Sequence, residues 1–394
     1  MSSGIGIVLF AIGIGLTIAL HEAGHMVAAR AFSMRVRRFF IGFGPKIASF
    51  RKGQTEYGLA ALPLGGFCDI AGMTANDEFL TREERPHALF AKPWWQRVIV
   101  LSGGVLVNLA LGFLILVTVA QTAGLPNPKA DMRPVVEEVV CPENPCAGLG
   151  PAGDAGIKPG DKIVSVEGQD IVAFTEVRDI AMARPGQTLD IGVERGGEIK
   201  HFRVPVATIN RQNPGGESIQ VGAVGIVQRP LDIIEKHSFI GAFPAAWNYS
   251  VFMLQQTARG IVEFPLKIPG VVASIFGGER DVEGPMSVVG ASRVGGELVE
   301  ANLWAGFFMM LASLNYFLAL FNLIPLPPFD GGHIAVVLYE KIRDFIRRLR
   351  GLEPGPAADY TRLMPITYAI GAVLLTVGAL IIIADVVNPI RLLG

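Results

Sequence analysis

GLTIALHEAGHMVAARAF (Gly15–Phe32) decides how this chain folds. Ahead of the motif, Met1–Leu20 carries no charge; then His21, Glu22 and His25 arrive together and the apolar pattern resumes. A charged side chain at the centre of a membrane helix costs at least ~2.5–3.5 kcal/mol, so three ionisable groups there need a common partner. His21-Glu22-Ala23-Gly24-His25 has the spacing H-E-x-x-H. On a helix, residues i and i+4 lie one above the other, close enough for two imidazoles to share one metal ion. The Glu between them is placed to take a proton from a water molecule at the metal. One zinc ion is the expected cofactor, with His21 and His25 as ligands and Glu22 as the catalytic base and acid.

The composition sets the same scene. Of the residues, 51% are hydrophobic and 18% charged, against about 25% charged in typical soluble chains, and the mean hydropathy is +0.44. Four segments lack Asp, Glu, Lys and Arg: Met1–Leu20, Val98–Pro128, Ala301–Phe329 and Leu363–Ala384. Each reaches the roughly 20 residues that cross a hydrocarbon core. The first has no basic leader and runs into HEAGH in place of a cleavage site, so it is expected to stay as a span. Arg35, Arg37, Arg38, Lys46, Arg51 and Lys52 follow span one, and Lys341, Arg343, Arg347, Arg348 and Arg350 follow span three. By the positive-inside rule both stretches are cytoplasmic, which puts the N-terminus, the long segment 129–300 and the C-terminal tail outside. A net charge of −1 gives no reason to expect a nucleic-acid partner; the expected partner is the lipid bilayer of a bacterial cytoplasmic membrane.

Residues 129–300 change character. RPVVEEVV (Arg133–Val140) and DKIVSVEGQDI (Asp161–Ile171) have strand composition, FTEVRDIAMARPG (Phe174–Gly186) has helical spacing and a Pro-Gly stop, and TLDIGVERGGEIKHFRVPVA (Thr188–Ala207) is a hairpin about Gly196-Gly197. This small α+β unit, 129–228, resembles a PDZ domain of the circularly permuted bacterial type, most clearly in AGIKPGDKIVSVEG (Ala155–Gly168). Such domains take peptides as an added strand; a folded spacer is the plainer alternative. Cys141 and Cys146, in CPENPC, can pair in an oxidising compartment, whereas Cys68 is expected to stay reduced. The segment 229–300 suits helices on the membrane surface, with Trp247 and Tyr249 at headgroup level. On the other side, TEYGLAALPLGGFCDIAGM (Thr55–Met73) suggests a re-entrant β-hairpin beside the first span.

A catalytic zinc takes three protein ligands, and NLIPLPPFDGGH (Asn322–His333) offers the third. Asp330 ends the charge-free run of span three behind Pro325, Pro327 and Pro328, which cannot sustain a regular helix. Alone, Asp330 suits a helix cap as well as a ligand; beside HEAGH the ligand is favoured. Asn108 and Asn322 are further polar residues inside apolar spans, available to a substrate backbone or to another helix.

HEAGH in the first span, NLIPLPPFDGG far downstream and a PDZ-like insert between spans two and three resemble the site-2 proteases over nearly the whole chain. VRRFFIGFGPK (Val36–Lys46), GPMSVVGAS (Gly284–Ser292) and DVVNPIRLLG (Asp385–Gly394) narrow the likeness to actinobacterial members with one PDZ domain. The resemblance implies a polytopic α-helical membrane protein with four spans, a re-entrant β-hairpin and an extracytoplasmic insert. Its parts are 1–33 with HEAGH, 34–97 with the hairpin, 98–128, 129–228, 229–300, 301–333, the basic loop 334–362, 363–387 and the tail 388–394. It implies a zinc metalloendopeptidase of regulated intramembrane proteolysis, with His21, His25 and Asp330 on zinc, Glu22 as base, and Asn322, Pro325 and Asn108 positioning the substrate. The implied substrates are single-span membrane proteins of the anti-sigma-factor type, already shortened by a first extracytoplasmic cut. The competing reading is a zinc-binding receptor or transporter without hydrolysis. It leaves Glu22 idle, and transport would call for polar residues over several spans and an internal repeat, which the sequence lacks.

Overall fold

The computed structural model describes residues 2–73, 77, 80–128, 130–142, 148–212, 218–229, 233–281 and 284–390. A 30-residue helix, α1 (Ser2–Ala31), opens the chain. An antiparallel ribbon follows, β1 (Val36–Lys52) and β2 (Thr55–Ile70). Its turn falls at Gly53-Gln54, so the hairpin expected within 55–73 is one strand of a longer ribbon, and the basic stretch 36–52 is its other strand. Phe39, Phe40, Ile41, Phe43, Ile47 and Phe50 give that stretch the aromatic and β-branched content of a strand; reading it for charge alone passes over this. Gly42 (φ 89°) and Gly44 (φ 85°) bend β1. Residues 38–41 are then paired on both sides, Phe40 facing Phe67 on one and Gly58 on the other.

Two helices come next, α2 (Trp94–Leu101) and α3 (Gly103–Thr122). The inserted unit contains short helices α4 (Pro151–Asp154) and α5 (Phe174–Met182). Then come α6 (Ala242–Ile275), α7 (Val288–Glu300), α8 (Trp304–Asn322), α9 (Asp330–Leu349) and α10 (Met364–Val387). Among the described residues, four helices are long and apolar enough to cross a membrane, within Gly4–Ala31, Gly103–Thr122, Trp304–Asn322 and Tyr360–Val387. The chain is a multi-pass membrane protein.

Small residues let these helices close on one another, because lipid offers no hydrophobic drive for association. A Cβ on Gly6 would stand 2.7 Å from the Gly296 Cα, so α1 and α7 meet backbone to backbone. α3, α6 and α8 share a core of Leu116, Ala242, Ala246, Ala312 and Tyr316, in which the buried Tyr316 hydroxyl donates to Ser250 Oγ at 2.6 Å. α6 runs unbroken for 34 residues with Pro265 and Pro269 inside it.

Residues 126–235 form a separate compact unit. Asn127 N–H donates to the Ile233 carbonyl and its amide to Glu235, both at 2.7 Å; these ties extend the unit past 129–228. Its four-stranded sheet runs Gln169–Asp170, Lys162–Val166, Thr188–Arg195, Glu198–Pro205, with every neighbour antiparallel. Alternate residues Ile163, Leu189, Ile191, Val193 and Val204 are fully buried against Val136, Ile157 and Val177 of the same unit, as the period of two in a strand dictates. Cys141 is disulfide-bonded and Cys68 is free; Cys146, the expected partner of Cys141, lies outside the described residues.

Candidate metal centre

α1 and α3 cross at glycine. A Cβ on Gly24 would lie 2.3 Å from the Gly103 carbonyl oxygen, and one on Gly103 2.6 Å from that of Gly24. This contact brings the HEAGH face onto the first turns of α3. A Cβ on Gly104 would be 2.5 Å from His21 Nε2 and from His25 Nε2. His21 and His25 are 8% and 7% exposed.

Asp330 reaches the same point from the other end of the chain. α8 stops at Asn322, the prolines carry the chain through 323–329 without regular helix, and α9 begins at Asp330. Gly331 and Gly332 make the reversal possible. A Cβ at Gly331 would lie 2.4 Å from the Leu323 carbonyl oxygen, and one at Gly332 2.5 Å from the Pro327 nitrogen. Asp330 is therefore the first residue of the helix, one place past the cap position, which Phe329 holds, and its Oδ2 is buried with no hydrogen bond among the described residues.

The three donor atoms form a nearly equilateral triangle. His21 Nε2 and His25 Nε2 are 3.3 Å apart, and Asp330 Oδ2 lies 3.3 Å from the first and 3.4 Å from the second. Ligands ~2.0–2.1 Å from a tetrahedral zinc ion stand about 3.3–3.4 Å from one another, so the spacing fits that ion. The hydrogen bonds fit it too. His25 Nδ1 is 2.8 Å from the Val100 carbonyl oxygen; as the donor there, it leaves the Nε2 lone pair free. His21 Nδ1 lies 3.1 Å from the Asn108 carboxamide nitrogen, and a half-turn of that group exchanges its nitrogen and oxygen. With the carboxamide oxygen turned toward the ring, His21 Nδ1–H donates to it, and the otherwise unpartnered Oδ1 gains its bond. Three lone pairs then converge with no proton between them, an arrangement that a cation stabilises.

Glu22 sits on the β2 side. Its carboxylate accepts from the Cys68 backbone N–H, and a Cβ on Gly66 would be 3.1 Å from Glu22 Cγ. Cys68 faces Phe39 across the ribbon, yet its N–H is aimed away from β1 toward Glu22. The edge of residues 66–70 opposite β1 has no strand partner among the described residues.

The remaining expected residues divide. Asn108, fully buried, is a partner of His21. Asn322 ends α8 half-buried, with no side-chain hydrogen bond among the described residues, and Pro325 is exposed in the loop after it. His333, one turn beyond Asp330, stacks on Tyr360 with ring centroids 5.6 Å apart. Sequence reasoning passes over Asn315, which is fully buried in α8 and donates to Thr17 Oγ1 at 3.3 Å, one turn before His21. As a polar residue in a charge-free span, it carries the same signal as Asn108.

Residues 9–353 match the model of peptidase family M50. The chain is 43% identical to the zinc metalloprotease Rip1 of Mycolicibacterium smegmatis over the whole of both chains. It is 40% identical to that of Mycobacterium tuberculosis over 98% of both, and 28% identical to the metalloprotease MmpA of Caulobacter vibrioides over 84% of this chain and 85% of that one. Among solved structures, the PDZ domain of an SdrC-like protein from Listeria monocytogenes is similar over 25% of this chain and 90% of its own, at 18% identity and a TM-score of 0.19. Two histidines one turn apart, a carboxylate brought back to them some three hundred residues later, and relatives matched along their full length lead to one conclusion: the chain belongs to peptidase family M50, the site-2 protease family of zinc metalloendopeptidases.

Proposed function

We propose that this chain cuts peptide bonds within the membrane segments of single-span proteins, with His21, His25 and Asp330 holding one zinc ion. The triangle of three buried donor atoms carries this reading. When bound, zinc polarises a carbonyl and acidifies a water molecule. The Glu22 carboxylate takes the proton of the attacking water and returns one to the leaving amide nitrogen. Asn108 and the Val100 carbonyl hold the two imidazoles with Nε2 inward. The Asn322 amide, eight residues before Asp330 and without a side-chain hydrogen bond among the described residues, is available to a substrate carbonyl.

A membrane helix hides its carbonyls in its own hydrogen bonds, so the substrate has to unwind before it is cut. The open edge of residues 66–70 offers replacement bonds to an extended substrate strand beside Glu22. Phe43, Ile47 and Phe50 are 44–64% exposed, which suits a ribbon that enters the bilayer. By the distribution of basic residues, the ribbon and the 334–362 loop lie on the cytoplasmic side of a bacterial inner membrane and the inserted unit outside. In that unit a cavity of about 210 Å³ lies beside α5 and Val221–Val224, with Arg178 and Arg211 among its lining residues. It suits the carboxylate terminus of a substrate shortened by an earlier cut, such as an anti-sigma factor.

The test is cleavage of a reconstituted single-span substrate, with mass spectrometry locating the cut. Wild type is expected to cut inside the membrane segment, and Glu22→Gln to lose at least 100-fold in rate, the scale of a lost general base. A Glu22→Gln protein that cleaves at the wild-type rate would sink the mechanism.

A further inference from the structure

α9 carries a second surface that the metal chemistry does not use. Leu338, Tyr339, Ile342, Phe345, Ile346 and Leu349 are 40–72% exposed. At 3.6 residues per turn they fall in one stripe about 120° wide. Cations border it on both sides: Lys341 and Arg348 along one edge, Arg343, Arg347 and Arg350 along the other.

The Lys341 edge faces α2. There Trp94, Lys341, Phe345 and Arg348 line a groove of about 200 Å³, and Lys341 Nζ stands 5.7 Å from the centroid of the Trp94 ring. The acids of the groove are already engaged. Glu340 accepts from Arg97 at 2.8 Å and from the Ala358 N–H at 2.7 Å. Asp344 accepts from Arg343 at 2.9 Å and from the Gly355 N–H at 3.0 Å. Lys341 and Arg348 form no ion pair among the described residues. Two cations without an ion pair among the described residues therefore share a pocket with an indole, and an apolar stripe runs alongside.

We propose that this groove binds the phosphate of an anionic phospholipid, whose acyl chains lie along the α9 stripe. A lipid is the occupant because it alone matches both halves of the surface. An apolar stripe bordered by cations is the pattern of a helix lying in the membrane interface, and exposed Trp94 and Trp95 are of the residue type found at headgroup level. The membrane helix α8 is joined to α9 by the short segment 323–329, which keeps α9 next to a membrane-spanning helix. α9 also begins at Asp330, and a lipid seated here steadies the helix that carries this carboxylate.

Native mass spectrometry of the full-length protein in mixed micelles tests this directly. Each cation beside an anionic leaflet contributes roughly a fivefold preference, and the pair about 30-fold. Wild type is expected to retain one phosphatidylglycerol over phosphatidylcholine by about that factor. Lys341→Gln with Arg348→Gln should lose most of it, while Lys200→Gln with Arg203→Gln, an equal charge change in the inserted unit, should keep it. Soluble glycerol phosphate should displace the lipid only weakly, having no chains for the stripe. Retention of the preference by the Lys341/Arg348 variant, an equal loss in the Lys200/Arg203 variant, or ready displacement by glycerol phosphate would each overturn the assignment.

Discussion

Gly104→Ala puts a single methyl group against the metal centre without replacing a ligand or the base. Its carbon would stand 2.5 Å from His21 Cε1, His21 Nε2 and His25 Nε2, where ordinary contact is 3.4–4 Å. The overlap is about 1 Å, and no flexible side-chain end is there to yield; the rings or the α3 backbone have to move by that amount. Metal–ligand distances tolerate about 0.2 Å. Loss of a single outer hydrogen-bond partner already weakens metal binding by about 10–100-fold, so displacing both nitrogens should weaken it by at least about 100-fold. Gly15→Ala, on α1 before the HEAGH turn and with nothing within 4 Å, is the control; it should leave zinc binding unchanged and favour the helix by up to ~1 kcal/mol. The assay is zinc affinity by competition with a chelator, with circular dichroism melts to show that both variants fold. A folded Gly104→Ala protein within threefold of wild-type affinity would refute the close packing of α3 on the two imidazoles.

Asn108→Ala should weaken zinc about 10–100-fold by freeing the His21 ring, read in the same titration; an unchanged affinity would remove Asn108 from the site. Asp385→Ala leaves Arg280, whose side chain is 5% exposed, without its counter-charge at the end of α10, and should destabilise the membrane unit by about 3–5 kcal/mol, measured as a fall in thermal midpoint. In the inserted unit, burial on its own would raise the Asp161 pKa, but Arg195, at 2.6 Å, and the Lys158 N–H outweigh it and hold the carboxyl below its ordinary value. A depressed folded pKa adds stability above the unfolded value of ~3.9, and the gain is lost as pH falls through the folded value. The hydrogen-exchange protection of residues 126–235, with the pH dependence of intrinsic amide exchange divided out, should therefore fall below about pH 4 in wild type, and Asp161→Asn should remove much of that dependence.

The metal site was legible because its residues are chemically out of place. His21, Glu22, His25 and Asp330 interrupt or end charge-free runs, and prolines before Asp330 announce a broken helix. What holds those residues together was not legible. Gly24, Gly103 and Gly104 look like any small residues in apolar spans, and their role depends on which face of α1 meets which face of α3. That is a tertiary fact with no period of its own. Asn315 carries the same signal as Asn108, a polar residue in a charge-free span, but its partner Thr17 becomes visible only when α1 and α8 are side by side. The ribbon was half legible. Thr55–Ile70 is apolar and glycine-rich, whereas the cations of Val36–Lys52 mask its aromatic and β-branched strand content. Pro265 and Pro269 are helix breakers by residue type, but each removes only one N–H, and the turns around them carry α6 through.

Zinc content per chain, measured by mass spectrometry on purified wild type, His21→Phe, His25→Phe, Asp330→Ala and Glu22→Gln, tests the central assignment most directly. About one zinc is expected in wild type and Glu22→Gln, and near none in the other three, as befits a site with three protein ligands. A folded Asp330→Ala protein that keeps the wild-type zinc content would contradict it, because the carboxylate brought back to HEAGH would then serve only the N-terminus of α9 and not the metal.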